Sequence, residues 1–412
     1  MFFRRTVLKD LLSTTAHQKV RLVFGARQTG KTALLQHVLR QVDESRHYDL
    51  QDTSMRQQLE ADPGSFGREL RALPKSCRTV VVDEIQKVPA LLEEVQSLHD
   101  SAPGRWRFYL TGSSARRLRS GSANLLPGRC HVFHLHPVCR WEEACEDPEI
   151  APPPYKLPRG TRLPPRFPAQ ELSRRLLHGS LPGVRAEKDA SAQATLDAYV
   201  SNYVEEEVRR EALVRDLGPF QVFLRLAGVE SGQTVNLAAL SQESGVPAST
   251  LKTYYQVLVD TFLGHWMPAY GQPSRKRILT TPRFYFFDLG VRNAAAQLPA
   301  SRDLLQTQGG RLLEHWVAQE LLARSAYLGR GYRVGFWRTA TGIEVDFVFE
   351  TPRLDLPIEV KWTERPRAED ARHLETFLDE FPGRSKRGLL VCRCPRRQQL
   401  TERVTAVPWS EL

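Results

Sequence analysis

Two runs in this sequence carry chemistry that residue type and spacing alone can name. Gly25-Ala26-Arg27-Gln28-Thr29-Gly30-Lys31-Thr32 begins and ends its loop with glycine and then gives a lysine, a threonine and Ala33 at the start of a helix. The glycines free the backbone to turn successive N–H groups inward, and the positive end of the helix adds to them, so the loop can cradle a polyphosphate. Lys31 would reach the outer phosphates, and the Thr32 hydroxyl would ligate a Mg²⁺ ion bridging them. Further on, Thr79-Val80-Val81-Val82 ends in Asp83-Glu84. Asp83 would hold the same metal, partly through water, and Glu84 would orient and activate an attacking water. The expected reaction is hydrolysis of ATP with Mg²⁺.

These side chains meet only if strands deliver them to one edge of a sheet. Val20 to Phe24 reads as a strand feeding the loop, and the helix after it runs to about Val42. A short strand around Tyr48-Asp49-Leu50 and helices over 54–62 and 66–73 lead to the buried strand that ends in the acid pair. Arg107 to Leu110 is another parallel strand, and its polar end, Thr111-Gly112-Ser113-Ser114, is expected beside the same crevice. Ser113 is a candidate γ-phosphate sensor, with a plain turn almost as good a reading. Arg129, Arg116 or Arg117 could be an arginine finger for a neighbouring subunit, although each taken singly reads more simply as a solvated surface arginine. Val132 to Leu135 follows as a strand.

The segments Phe24 to Thr32, Val80 to Gln86, and Leu110 to Ser114 through Leu126-Pro127-Gly128-Arg129 resemble the ATPase core of a large bacterial and archaeal AAA+ family. Members carry a C-terminal region of unknown function containing a winged helix and a restriction-endonuclease-like fold. The resemblance runs along nearly the whole chain and implies an α/β protein. A P-loop NTPase parallel sheet would be followed by a winged-helix domain and an endonuclease-like α/β domain.

The 412 residues suffice for two or three domains, and the formal charge of +11 favours an anionic partner, nucleic acid ahead of a membrane surface. Cys77, Cys130, Cys139, Cys145, Cys392 and Cys394 show no C-x-x-C pair, which argues against a structural zinc site or a disulfide scaffold. No apolar stretch approaches the ~20 residues of a membrane helix, so a cytoplasmic protein is expected, with no membrane partner.

Prolines crowd residues 147–168, which read as a semi-rigid linker or an insertion, and 190–210 read as one long amphipathic helix. Residues 219–270 look like a winged helix: helices over 220–229 and 236–243, a turn at Gly245-Val246-Pro247, then a candidate recognition helix over 248–263. Its first turn offers Ser249, Thr250, Lys252 and Thr253 to DNA, and Arg275-Lys276-Arg277 would suit a basic wing. A lid or protein-docking module is the plainer alternative, because the helix carries few basic residues.

The last region carries Glu314 on a helix over 310–324, Asp346 on a strand over 344–349, and Glu359 with Lys361 on a strand over 356–361. This resembles the PD-(D/E)-x-K nuclease core, in which carboxylates bind Mg²⁺ and a lysine stabilises or activates the attacking hydroxide. Val345 stands where that family usually has proline before the first aspartate, which removes no ligand. The resemblance implies a second metal site at Glu314, Asp346, Glu359 and Lys361. Arg384, Lys386, Arg387, Arg393, Arg396 and Arg397 form a basic run suited to phosphate backbones.

The expected organisation is an ATPase core over 1–145, a linker and helical lid over 146–218, a winged helix over 219–290 and the nuclease-like domain over 291–412. The expected function is an oligomeric ATP-driven motor or switch acting on DNA, including branched DNA such as Holliday junctions, with a hexamer as one form. The alternatives are a nucleotide-dependent signalling switch with an inert C-terminal domain, and an ATP-gated metal nuclease.

Overall fold

The computed structural model describes residues 3–13, 19–42, 44–114, 126, 128–144, 169–204, 217–271 and 281–412. The proline-rich stretch, Cys145, Arg116, Arg117 and the basic triplet Arg275-Lys276-Arg277 lie outside the described residues.

The first unit comprises α1 (Val7–Leu12), β1 (Val20–Phe24), α2 (Lys31–Leu39), β2 (Ser45–Asp49), α3 (Thr53–Ala61), α4 (Gly64–Ala72), β3 (Thr79–Asp83), α5 (Leu91–Ser101), β4 (Arg107–Gly112), β5 (Cys130–His134) and α6 (Arg140–Ala144). Its five strands are all parallel, in the order β2-β3-β4-β1-β5. β1 and β3 are buried at every position. That is why both read as unbroken apolar runs and not as alternating ones. One face packs Leu22, Phe24, Val80 and Val82 on Phe66, Leu70, Leu91 and Val95, and the other packs Val23, Val81 and Tyr109 on Val7, Leu34, Leu35 and Val38. Because β4 lies between β1 and β3, the C-terminal ends of all three strands share one edge, where an open parallel sheet binds ligands.

The middle unit begins with α7 (Ala169–His178), α8 (Pro182–Ala186) and α9 (Asp189–Ala198), which passes into a π-helical segment, Tyr199–Val204. The single helix expected over 190–210 therefore changes pitch at Tyr199, and residues 205–216 lie outside the described ones. Then come α10 (Leu217–Val229), α11 (Leu237–Ser244), α12 (Ala248–Asp260), an antiparallel ribbon of β6 (Gly264–Met267) and β7 (Arg283–Phe286), and α13 (Leu289–Ala295). Asn236 caps α11 by accepting from the amides of Ala238 and Ala239, and Gly245 ends it at a φ of 70°. An L side chain rarely adopts that angle.

The third unit is α14 (Arg302–Leu328), β8 (Arg333–Arg338), β9 (Glu344–Glu350), β10 (Leu356–Val360), α15 (Arg372–Glu380), β11 (Gly388–Cys392), β12 (Gln398–Gln399) and β13 (Val404–Pro408). Its mixed sheet has the order β12-β13-β11-β10-β9-β8. α14 starts earlier than the expected 310 because Ser301 caps it and because Gly309 stays helical under the Trp362 ring, against which a Cβ would collide. Buried groups tie the units together. The Arg140 amide on α6 donates to Glu320 of α14 at 3.0 Å, and Ala269 of the middle unit bridges Phe336 on β8. Among the described residues no helix is long and apolar enough to cross a membrane.

Candidate functional site

The phosphate loop is shaped by close approach. A Cβ at Gly25 would collide with the Leu135 carbonyl oxygen, and Gly30 turns the chain into α2 with a φ of 94°. The loop, with Gln51, Glu84, Lys87, Pro182 and Gly183, lines a cleft of about 440 Å³. That size suits a small-molecule ligand. Arg27, Gln28, Gly30, Lys31, Thr32 and Ala33 all face the cleft. Gly25, Ala26 and Thr29 form its base instead: the Thr29 hydroxyl bonds the Ala26 carbonyl at 2.8 Å, and Lys31 Nζ bonds the Gly25 and Ala26 carbonyls at 3.0 Å each.

The acid pair arrives as expected. Thr32 Oγ1 donates to Asp83 Oδ2 at 2.6 Å, and the Thr111 hydroxyl donates to the other Asp83 oxygen. This hydroxyl and carboxylate are the oxygen donors that Mg²⁺ prefers. Glu84 stands in the left-handed region, φ 61°, with its amide on the Thr111 hydroxyl at 3.0 Å. Its carboxylate takes the Ser113 hydroxyl at 2.6 Å and the Gln86 amide, and lies 3.7 Å from Lys31 Nζ. Burial alone would push Glu84 up, yet Lys31, Ser113, Gln86 and Arg27 together hold it below the usual carboxylate range. Ser113 therefore meets Glu84 and Gln86 in this conformation. Arg129 lies at the opposite, N-terminal edge of the sheet, where its carbonyl accepts from Val20 and its guanidinium bonds Asp100 at 2.6 Å.

Sequence reasoning missed Arg5. From just ahead of α1 its buried guanidinium bonds the Thr29 carbonyl at 2.8 Å, Glu142 at 3.0 Å and the His136 carbonyl, tying the phosphate loop to α6. The Tyr199 hydroxyl grips the loop from the lid side through the Arg27 carbonyl at 3.2 Å. No local motif marks either residue, since each reaches the loop only through the fold.

The acid set of the third unit also gathers. Lys361 Nζ bonds Glu359 Oε1 at 2.7 Å, and Asp346 Oδ2 accepts from the Val360 amide at 2.8 Å. Burial pushes Glu359 up to about 8, helped by Asp346, and Glu314 up to about 7, while Asp346 is also raised, chiefly by burial. Glu359 Oε2 is buried with no hydrogen-bond partner. Carboxylates and an orphaned oxygen suit a divalent cation chemically, although among the described residues no three His, Cys, Asp or Glu groups converge as a formed cage. Three neighbours went unforeseen: Arg283 and Tyr285 from the ribbon, which bond Glu314, and His373 from α15, which feels Asp346 and Lys361.

On α12, Ser249, Lys252 and Thr253 are exposed and Thr250 is half-buried. Thr253 Oγ1 turns back to the Ser249 carbonyl at 3.2 Å. The basic run needs correction. Arg384 is paired with Asp355 at 2.8 Å, Arg393 with Glu364 at 3.3 Å while stacking on Trp362, and Arg397 with Glu411, so half of its charge is answered internally.

Residues 17–144 match the family model described as an AAA domain. The N-terminal unit is AAA-like. Residues 169–302 and 309–412 match two families described as domains of unknown function, DUF8612 and DUF4143. Uncharacterized proteins of Mycobacterium tuberculosis and Mycobacterium bovis are each 23% identical to the chain over 409 residues, 99% of this chain and 84% of theirs. A Walker-type ATPase of Pyrococcus abyssi is 14% identical with a TM-score of 0.47, covering 71% of this chain and 96% of that one. PCH-2 of C. elegans is 17% identical with a TM-score of 0.23, covering 34% and 41%. At those scores the weight stays on the AAA match and on the geometry of the cleft.

Proposed function

We propose that this chain binds ATP with Mg²⁺ in the loop cleft and hydrolyses it, and that turnover drives or switches an oligomer acting on DNA. The observation that carries the ATPase reading is the meeting of Lys31, Thr32, Asp83 and Glu84 at one strand edge of a unit matching an AAA domain. Lys31 holds the outer phosphates, and Glu84, ionised by its surroundings, takes the proton of the attacking water. Bound Mg²⁺, held by Thr32 and Asp83, supplies charge neutralisation at the phosphates. Ser113 positions Glu84, and Arg129 is the candidate finger for a neighbouring subunit, whether in a hexamer or a smaller ring.

The DNA reading rests on the net charge of +11 and on the exposed first turn of α12, which we read as the recognition helix of a winged helix. The ATPase rate measured with linear, forked and four-way-junction DNA tests it. Salt-sensitive binding with faster turnover is expected on at least one of these. Absence of both leaves a nucleotide-dependent signalling switch.

A second reading is favoured by one observation, the unpartnered Glu359 oxygen among raised carboxylates. It makes the third unit a metal-dependent nuclease, with Asp346, Glu359 and Glu314 holding the cation and Lys361 beside it. Metal-dependent cutting that disappears in Asp346→Ala is the expected result, and DNA left intact by the native protein with Mg²⁺ or Mn²⁺ eliminates it.

A further inference from the structure

The acid centre contains a cation that its own unit does not supply. Arg283 opens β7 in the ribbon of the middle unit, with its side chain only 6% exposed and its guanidinium 4.5 Å from the Phe336 ring centroid. Its Nη1 lies 3.3 Å from Glu314 Oε1, and its Nη2 is paired with Glu344. Two residues along the same strand, the Tyr285 hydroxyl donates to that same Glu314 oxygen at 3.1 Å. The ribbon thus engages Glu314 twice, while Lys361 answers Glu359 and a backbone amide answers Asp346. Glu359 Oε2 is left buried and unpartnered.

We propose that Arg283 is an internal counter-ion standing at Glu314 in place of a divalent cation, so that the docking of the ribbon sets the affinity of the acid centre for metal. This rests on reading that centre as a metal site. A guanidinium and a divalent cation draw on the same carboxylate lone pairs, and a fixed positive charge nearby repels a second one. With Arg283 in place, Glu314 is neutralised and aimed at the ribbon. With the guanidinium gone, Glu314, Asp346 and Glu359 are left with Lys361 alone and recruit a cation. Because the arginine comes from the unit that also carries α12, and the start of α8, Pro182-Gly183, which lines the ATP cleft, lies in that same unit, a shift of the ribbon against β8 would open the centre without any change in its own strands.

The test is calorimetric titration of the full-length protein with Mn²⁺ in the absence of nucleotide, reading the binding that Glu359→Gln removes. Arg283→Gln is expected to bind Mn²⁺ tighter by about tenfold, and the double variant Arg283→Gln with Glu359→Gln is expected to lose that gain. Should Arg283→Gln not fold, Arg283→Lys keeps the charge but cannot span Glu314 and Glu344 together, and Tyr285→Phe removes one grip on Glu314. Each should tighten Mn²⁺ by a smaller factor. Affinity unchanged or weaker in these variants, with Glu359→Gln still abolishing binding, overturns the counter-ion and leaves the metal site standing. No Mn²⁺ binding that depends on Glu359 in any variant overturns both.

Discussion

The phosphate-loop cleft and the acid centre use the same residue types, a lysine beside carboxylates, in opposite electrostatic settings. In the cleft Lys31 leans on two carbonyls and lies 3.7 Å from Glu84, which Lys31, Ser113 and Gln86 keep ionised in spite of its burial. Amides, a helix start and a lysine are in surplus there, so the missing partner is an anion. In the acid centre burial drives Glu359 to about 8 and Glu314 to about 7, and the positive charge at hand is Lys361 and a borrowed arginine. On the metal reading proposed above, the partner that centre would take is a divalent cation. The sign of the carboxylate shift, read with the geometry, separates two sites that a list of residues would make alike.

The largest effects that could break this contrast lie in the cleft. Lys31→Ala should abolish MgATP binding and cut phosphate release by at least about a hundredfold, because the charge that answers the outer phosphates is gone. Glu84→Gln should keep nucleotide binding and lose turnover by about 10²–10⁴, the range of a removed general base. Nucleotide titration and phosphate release read the two apart. Turnover surviving in Lys31→Ala, or binding vanishing in Glu84→Gln, would show that the cleft is not built around an anion. The tenfold gain in Mn²⁺ affinity of Arg283→Gln is the matching test at the other end.

A smaller effect sharpens how the cleft is held. Arg5→Lys keeps a charge beside Glu142 but lacks the fork that reaches the Thr29 and His136 carbonyls together. Losing about one net hydrogen bond under the loop should weaken ATP binding by roughly fivefold with little change in maximal rate. Titration with a fluorescent ATP analogue, alongside the rate at saturation, checks that split. Unaltered affinity would mean the loop keeps its shape without Arg5.

What could be read beforehand follows from where the determinants lie along the chain. The loop, the acid pair and the Glu359-x-Lys361 strand are local patterns fixed by backbone geometry, and the structure puts each strand within a few residues of its expected place. The partners that tune them are not local. Arg5 acts on Thr29, Tyr199 on Arg27, and Arg283 on Glu314, contacts made only when helices and a ribbon pack across units. Charge runs misled for a related reason. Arg384 and Arg397 look like a phosphate-binding face until the fold brings Asp355 and Glu411 against them. α14 was expected only over 310–324, whereas Trp362 packing holds Gly309 inside a helix that starts at Arg302.

The seam between the two regions gives the smallest expected effect and the one that is most specific in pH. His136, following β5, stacks on His265 of β6 with ring centroids 5.6 Å apart, so the N-terminal sheet meets the ribbon through two half-buried imidazoles. Burial, then the neighbouring His134, lowers His265 from 6.5 to about 4. Burial lowers His136 as well, with His265, His134 and Arg5 adding repulsion. Each folded value lies below the unfolded one, so the unfolded chain binds more protons in this window. The stabilisation is complete above the unfolded value near 6.5 and is lost as pH falls towards 4. Asp288 works against this trend, since burial raises it to about 6 and its stabilisation is lost as pH rises. Only a difference between variants therefore isolates the histidines. His265→Phe keeps an aromatic ring on His136 and removes one titrating group. Urea midpoints of the variant and the native protein should nearly coincide at pH 8, and the variant should gain as pH falls to 5, by an amount on the order of 1–2 kcal/mol. Parallel pH profiles would mean that His265 is already solvated in the native state. The ribbon that carries Arg283 would then not be fastened to the N-terminal sheet at this stack.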